Sequence, residues 1–167
     1  MALSSNTRLW AGRTAQELNL RTPEQLVSEN LQVFRTWGAP EFRAEEGLDV
    51  YVQAFCLKST LQSPMVSISY YLESDKAAEA RELLFLSVTP DTLLVTNKAV
   101  VAAQDLIPGT ILKSSYCSGP SGPIPGSAKV IVSSVEADRV GGSAYTLVFS
   151  EPPPTTWIDL EYTVVQL

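Results

Sequence analysis

Leu48-Asp49-Val50-Tyr51-Val52-Gln53-Ala54-Phe55-Cys56-Leu57 is the stretch on which the fold reading turns. Its period is two. Leu48, Val50, Val52, Ala54 and Cys56 share one face, while Tyr51, Phe55 and Leu57 enrich the other. Successive side chains of a strand point to opposite faces, so a segment apolar on both is buried on both and is expected in the middle of a sheet. Ser63-Pro64 interrupts the run. Val66, Ile68, Tyr70 and Leu72 then alternate with Met65, Ser67, Ser69 and Tyr71, which predicts the next strand. Glu73-Ser74-Asp75-Lys76 reads as a turn. Residues 77–88, AAEARELLFLSV, mix helix-favouring alanine and glutamate with a strand-favouring end, and a strand is expected by Leu83.

Toward the C-terminus the pattern stays β-like and is cut by turn chemistry. Thr89-Pro90-Asp91 is a turn, TLLVTN and AVVAAQDL are strands, and Ile107-Pro108-Gly109-Thr110 places Pro and Gly as a type II turn wants them. TILKSSY follows, then a loop from Ser118 to Ser127 with three Gly and three Pro. AKVIVSSVEA, AYTLVFSE and WIDLEYTVVQL predict three more strands, separated by Val140-Gly141-Gly142-Ser143 and Glu151-Pro152-Pro153-Pro154. In the last, Ile158, Leu160, Tyr162 and Val164 are expected inward and Asp159, Glu161 and Thr163 outward.

Toward the N-terminus the first 40 or so residues read as helix. Thr14-Ala15-Gln16-Glu17 and Thr22-Pro23-Glu24-Gln25 both fit the capping box, in which a hydroxyl accepts from the N3 amide and the N3 side chain reaches back. Pro23 would sit at N1, where its missing N–H costs nothing. A short helix is expected at 15–20 and a longer one at 23–37, with Val27, Leu31 and Phe34 on one apolar face widened by Leu26, Val33 and Trp37. Gly38 and Pro40 supply the stop.

The composition bounds the function. The chain has 167 residues, 45% of them apolar and 18% charged, enough to bury a core. It lacks a run of ~18 uncharged apolar residues, so no transmembrane helix is expected, and MALSSNTRLW lacks the apolar stretch of a signal peptide. Histidine is absent, which removes Ser-His-Asp and Cys-His catalysis and most zinc sites. The net charge is −6, so phosphate backbones and anionic membranes are poor partners. Residues 1–83 hold eight basic and eleven acidic side chains, and 84–167 hold four and seven, so the second half has less charge to keep it solvated. Spacing leaves pairing of Cys56 and Cys117 open, although Cys56, inside a buried-strand run, favours a reduced core thiol. No phosphate-loop or dinucleotide motif is present. Asp159 and Glu161, and likewise Glu136 and Asp138, could pair as carboxylates for glycoside hydrolysis or calcium, but a solvated face outweighs that reading. The same holds for the cluster Glu41, Glu45, Glu46 and Asp49.

Two stretches carry a resemblance. Val100-Val101-Ala102-Ala103-Gln104-Asp105-Leu106-Ile107-Pro108-Gly109-Thr110-Ile111-Leu112 resembles a segment of SAF-type β-clip modules. More broadly, the succession of "T-L-x-V-T", "I-P-G-T-x-L", "A-x-V-x-V-S-S", a Gly-Gly turn and "Y-T-L-V-F-S-E-P" over residues 90–167 is similar to a β module of tailed-bacteriophage virion proteins. That resemblance implies a structural part of a head, tail or baseplate, with no catalytic, metal or cofactor residues.

These readings together predict an α+β chain: an N-terminal helical arm, then mainly antiparallel β domains of small barrel or sandwich type, divided as 1–83 and 84–167. The expected function is non-enzymatic: a virion structural protein of a tailed phage, a capsid decoration or tail/baseplate component, made in the host cytoplasm. It would act as a homo-oligomer among copies of itself and other virion proteins, without cofactor, nucleic acid or membrane. Trp10, Trp157 and the loop residues Ser118, Gly119, Pro120, Gly122, Pro123 and Pro125 are the candidate interface. The alternative is a small-molecule or carbohydrate-binding β module with Trp10, Trp157 or Tyr71 as stacking platforms.

Overall fold

The structure is a computed structural model and describes residues 2–12, 19–29, 33–38, 49–58, 63–73, 82–114, 129–149 and 156–166. In chain order it runs β1 (Leu3–Ser4), β2 (Leu9–Gly12), β3 (Asn19–Arg21), α1 (Pro23–Ser28), β4 (Val33–Gly38), β5 (Asp49–Lys58), β6 (Ser63–Leu72) and β7 (Leu84–Val88). There follow β8 (Leu93–Val95), β9 (Val100–Ala102), a 3-10 turn (Ala103–Asp105), β10 (Ile111–Leu112), β11 (Val130–Gly142), β12 (Ala144–Phe149), β13 (Thr156–Asp159) and β14 (Val164–Gln166).

The run that opened the reading becomes β5, an inner strand that pairs with β12 on one side and β4 on the other. The strands form one continuous antiparallel path, β10-β11-β6-β7-β1-β12-β5-β4-β13-β14-β8-β9, with β2 pairing β4 and carrying β3. The path returns to its start. Thr96, just past β8, bridges Leu112 of β10, the Asn97 N–H donates to the Ile111 carbonyl (3.0 Å) and the Lys113 N–H to the Val95 carbonyl (2.9 Å). Strands from 1–83 and 84–167 interleave along it. Leu3, Leu9, Ile68, Leu94, Ile158 and Val165 lie fully buried in the shared core.

The helical arm is the main correction. The capping box at Thr22 forms as its residues dictate: the Gln25 N–H donates to Thr22 Oγ1 (3.3 Å) and the Thr22 N–H to Gln25 Oε1 (2.9 Å). The helix it starts stops at Ser28, with Leu26 buried and Val27 55% exposed. Six residues are too few to be stable without packing. Val33 and Thr36 are β-branched and Phe34 and Trp37 aromatic, types that fit a pleated surface. As β4 they find a five-residue ladder on β5, from Val33↔Gln53 to Trp37↔Asp49. The expected helix at 15–20 falls mostly outside the described residues, and Asn19–Leu20 belong to β3. The fold is thus mostly antiparallel β with one short helix among the described residues, not α+β with an arm.

Local turn chemistry explains two further details. Gly109 has φ 89°, which a type II turn demands at its third position and glycine alone adopts freely. The last predicted strand is two: β13 and β14 form a hairpin closed by the Leu160 N–H to the Thr163 carbonyl (2.9 Å).

Ile158→Ala removes a fully buried side chain and should cost about 2–5 kcal/mol in urea unfolding. Val27→Ala, on the exposed helix face, should stay within about 0.5 kcal/mol.

Candidate functional site

Between β7 and β8 the chain reverses through Thr89-Pro90-Asp91-Thr92, closed by the Thr92 N–H to the Thr89 carbonyl (3.0 Å) with Pro at the second position. Leu3 pairs with Val88, and that register lays Ala2 against Thr89. The Ala2 N–H donates to Thr89 Oγ1 (3.0 Å). The Thr89 N–H donates to the Ala2 carbonyl (3.0 Å), and the Thr92 hydroxyl donates to the same oxygen (3.3 Å). The two threonine hydroxyls lie 2.9 Å apart, and Thr89 Oγ1 is also 3.4 Å from that carbonyl. A hydroxyl has one proton. The Thr89 hydroxyl spends its own on Asp91, holding that exposed carboxyl below its usual range against a smaller opposing desolvation. Thr92 is therefore the hydroxyl donor to Ala2.

Thr92 is fully buried and Ala2 nearly so, its methyl packed with Met65 and Ala144. Leu93, the next residue, pairs with Gln166 of β14. Ala2 and Gln166 thus converge on one five-residue segment. Two donors aimed at one carbonyl polarise it and would hold an oxyanion formed there. The side chain at position 2 supplies no nucleophile, and the chain has no histidine to act as a base.

Of the expected interface residues, Trp10 and Trp157 are among the described ones, and they are 5% and 1% exposed. The indole of Trp157 donates to Gln166 Oε1 (3.0 Å), and Lys113 Nζ sits 5.6 Å from its ring centroid. Neither indole offers a stacking platform, and Tyr71 is half-buried in β6. Ser118, Gly119, Pro120, Gly122, Pro123 and Pro125 lie outside the described residues, as do Cys117, Glu41, Glu45 and Glu46. Glu161 lies past β13 and forms a two-point ion pair with Arg8, Nε to Oε2 at 2.9 Å and Nη2 to Oε1. Glu136 and Asp138 are exposed on β11, and no group of three metal-ligating side chains occurs among the described residues. Sequence reasoning read Thr89–Asp91 as a turn and missed its contact with Ala2. The signal was two hydroxyls flanking Pro-Asp; Ala2 carried none, because it is held through its backbone.

Neither a protein-family model nor a curated protein matches the sequence. Solved structures do match its fold. The DnaB intein of Synechocystis sp. PCC 6803 is 12% identical, with 98% of this chain and 96% of that one covered and a TM-score of 0.56. The TvoVMA intein is 16% identical over the same shares, with a TM-score of 0.59. The bacterial intein-like domain from Clostridium thermocellum is 12% identical, also over 98% and 96%, with a TM-score of 0.53. The fold is that of inteins, and the resemblance to a phage virion module is overturned. Virion assembly as capsid decoration, tail or baseplate falls with it, as does placement in a virion, since inteins are embedded in host proteins. The expectation of a non-enzymatic chain is overturned by the same likeness to inteins.

The lowered Asp91 carboxyl gives a signed pH dependence. The folded chain holds this proton less tightly than the unfolded one, so the stabilisation is present above about pH 4 and is lost as pH falls below it. In urea unfolding, the gap between the wild type and Asp91→Asn should be open at neutral pH and closed in strong acid.

Proposed function

We propose that the chain is a self-processing module that transfers the acyl group at Ala2 of its own backbone. One observation carries this reading: the Ala2 carbonyl is held by the Thr89 N–H at 3.0 Å and the Thr92 hydroxyl at 3.3 Å. The intein fold supports it, since self-splicing is acyl transfer at a backbone amide.

A nucleophile adds to the Ala2 carbonyl carbon. The displaced electron pair moves to the oxygen, where the two donors stabilise it. Collapse breaks the bond to the Leu3 nitrogen, which leaves as an amine carrying the proton the nucleophile gave up. The segment ending in Ala2 departs as the acyl adduct, and the chain then begins at Leu3. Asp91 fixes the Thr89 hydroxyl so that it accepts from the Ala2 N–H, which holds the peptide in place. Ala2 offers no nucleophilic side chain of its own, so a nucleophile supplied in solution can serve. A thiol suits, because it ionises near pH 8.5 and needs no histidine base.

The test is incubation with a small thiol or hydroxylamine, followed by intact-mass and amino-terminal analysis. The expected product is a chain beginning at Leu3. Thr92→Val, isosteric and without the donor, should slow its appearance by about 100- to 1000-fold. Absence of the Leu3 terminus, or an equal rate in Thr92→Val, sinks the reading.

A further inference from the structure

A small cavity of about 30 Å³ opens where the Asn6–Arg8 turn, β7 and the β13–β14 turn meet. It shares no side chain with the Ala2 site. Three of its lining residues are aromatic: Tyr70, Tyr162 and Phe85. Tyr70 is buried at its base and meets Tyr162 edge-on, with ring centroids 6.4 Å apart. Phe85 stands at the surface, 69% exposed. Glu161 adds a carboxylate, already forked onto Arg8. Thr163 also lines the space. It is 1% exposed, and its buried hydroxyl has no hydrogen-bond partner among the described residues.

Buried hydroxyls are nearly always satisfied, so this one marks a missing donor or acceptor. The size fits a compact head: a water needs at least about 10–15 Å³ on this measure, so the space holds two or three waters or one small polar group. Ring faces attract cations, and Tyr and Phe do so best when the cation is desolvated. From this juxtaposition of three aromatic rings, a carboxylate and an orphaned hydroxyl, we infer that the cavity is a binding site for a small organic ammonium, either a free amine or a lysine side chain of a peptide.

The electrostatics agree. Burial and then the Glu161 carboxylate push the hydroxyls of both Tyr70 and Tyr162 above their usual range, and Arg8 opposes this as a smaller influence. A primary ammonium would donate to Thr163 Oγ1 and share Glu161 with Arg8, while its methylene lies against Phe85.

The experiment titrates the intact chain with methylammonium chloride, and separately with Nα-acetyl-lysinamide, following tyrosine fluorescence or amide shifts against a sodium chloride control. Saturation is expected with a Kd on the order of millimolar, as befits so few atoms. Tighter binding of the lysine derivative assigns the site to a peptide lysine, and tighter binding of methylammonium to a free amine. Phe85→Ala should weaken binding about three- to tenfold. Thr163→Val, isosteric, should leave the unliganded fold as stable or more so, because it removes an unsatisfied hydroxyl, yet weaken methylammonium at least threefold. No saturation beyond the sodium control overturns the inference. So does saturation that Phe85→Ala and Thr163→Val leave unchanged.

Discussion

The smallest strand holds the plan together. β1 has two residues, yet Leu3 pairs with Val88 of β7 on one side and Tyr145 of β12 on the other. It is the link through which the strands from β10 to β7 join those from β12 to β9. Without it, two strand edges would face each other with unpaired backbone groups, and the cavity left by a fully buried Leu3 would open between them. The same pairing sets the register that places Ala2 under Thr89 and Thr92. Fold closure and site geometry are therefore one constraint.

β-Periodicity was legible wherever burial imposed it. The runs that became β6, β7 and β11 read as strands, and each puts a face into the core. The hairpin at the C-terminal end was not, because Trp157, Ile158, Leu160, Val164 and Val165 are all buried, and a turn between two such strands keeps an apolar pattern running. The N-terminal third misled for a different reason. The capping box at Thr22 is a true local signal, but it specifies where a helix starts and not how far it goes. Beyond Ser28 the ladder from β4 to β5 outweighs helix propensity, and only long-range pairing reveals that.

The site was harder still. Catalytic motifs are recognised by side chains that carry chemistry, whereas this cradle grips a backbone unit with one N–H and two hydroxyls in a turn. Thr89 reads as an ordinary turn residue and Thr92 as the first residue of a strand until β1 is laid beside them. The segment from Val100 to Leu112 misled by its clarity. Its strand, 3-10 turn and glycine turn are real, and such short successions recur in many small β modules. They report local geometry and not lineage.

β1 and β14 each lie between two partners, β7 and β12 for the first and β13 and β8 for the second. Tension applied through chain flanking Ala2 and Gln166 would thus be borne by ladders on both sides of each strand. Drawing out an outermost strand breaks one ladder; drawing out either of these breaks two. Resistance to pulling is set by the rate of unfolding under load rather than by equilibrium stability. The arrangement acts as a mechanical clamp, and a chain under strain would keep the Ala2 carbonyl seated beneath its two donors until the clamp gives way.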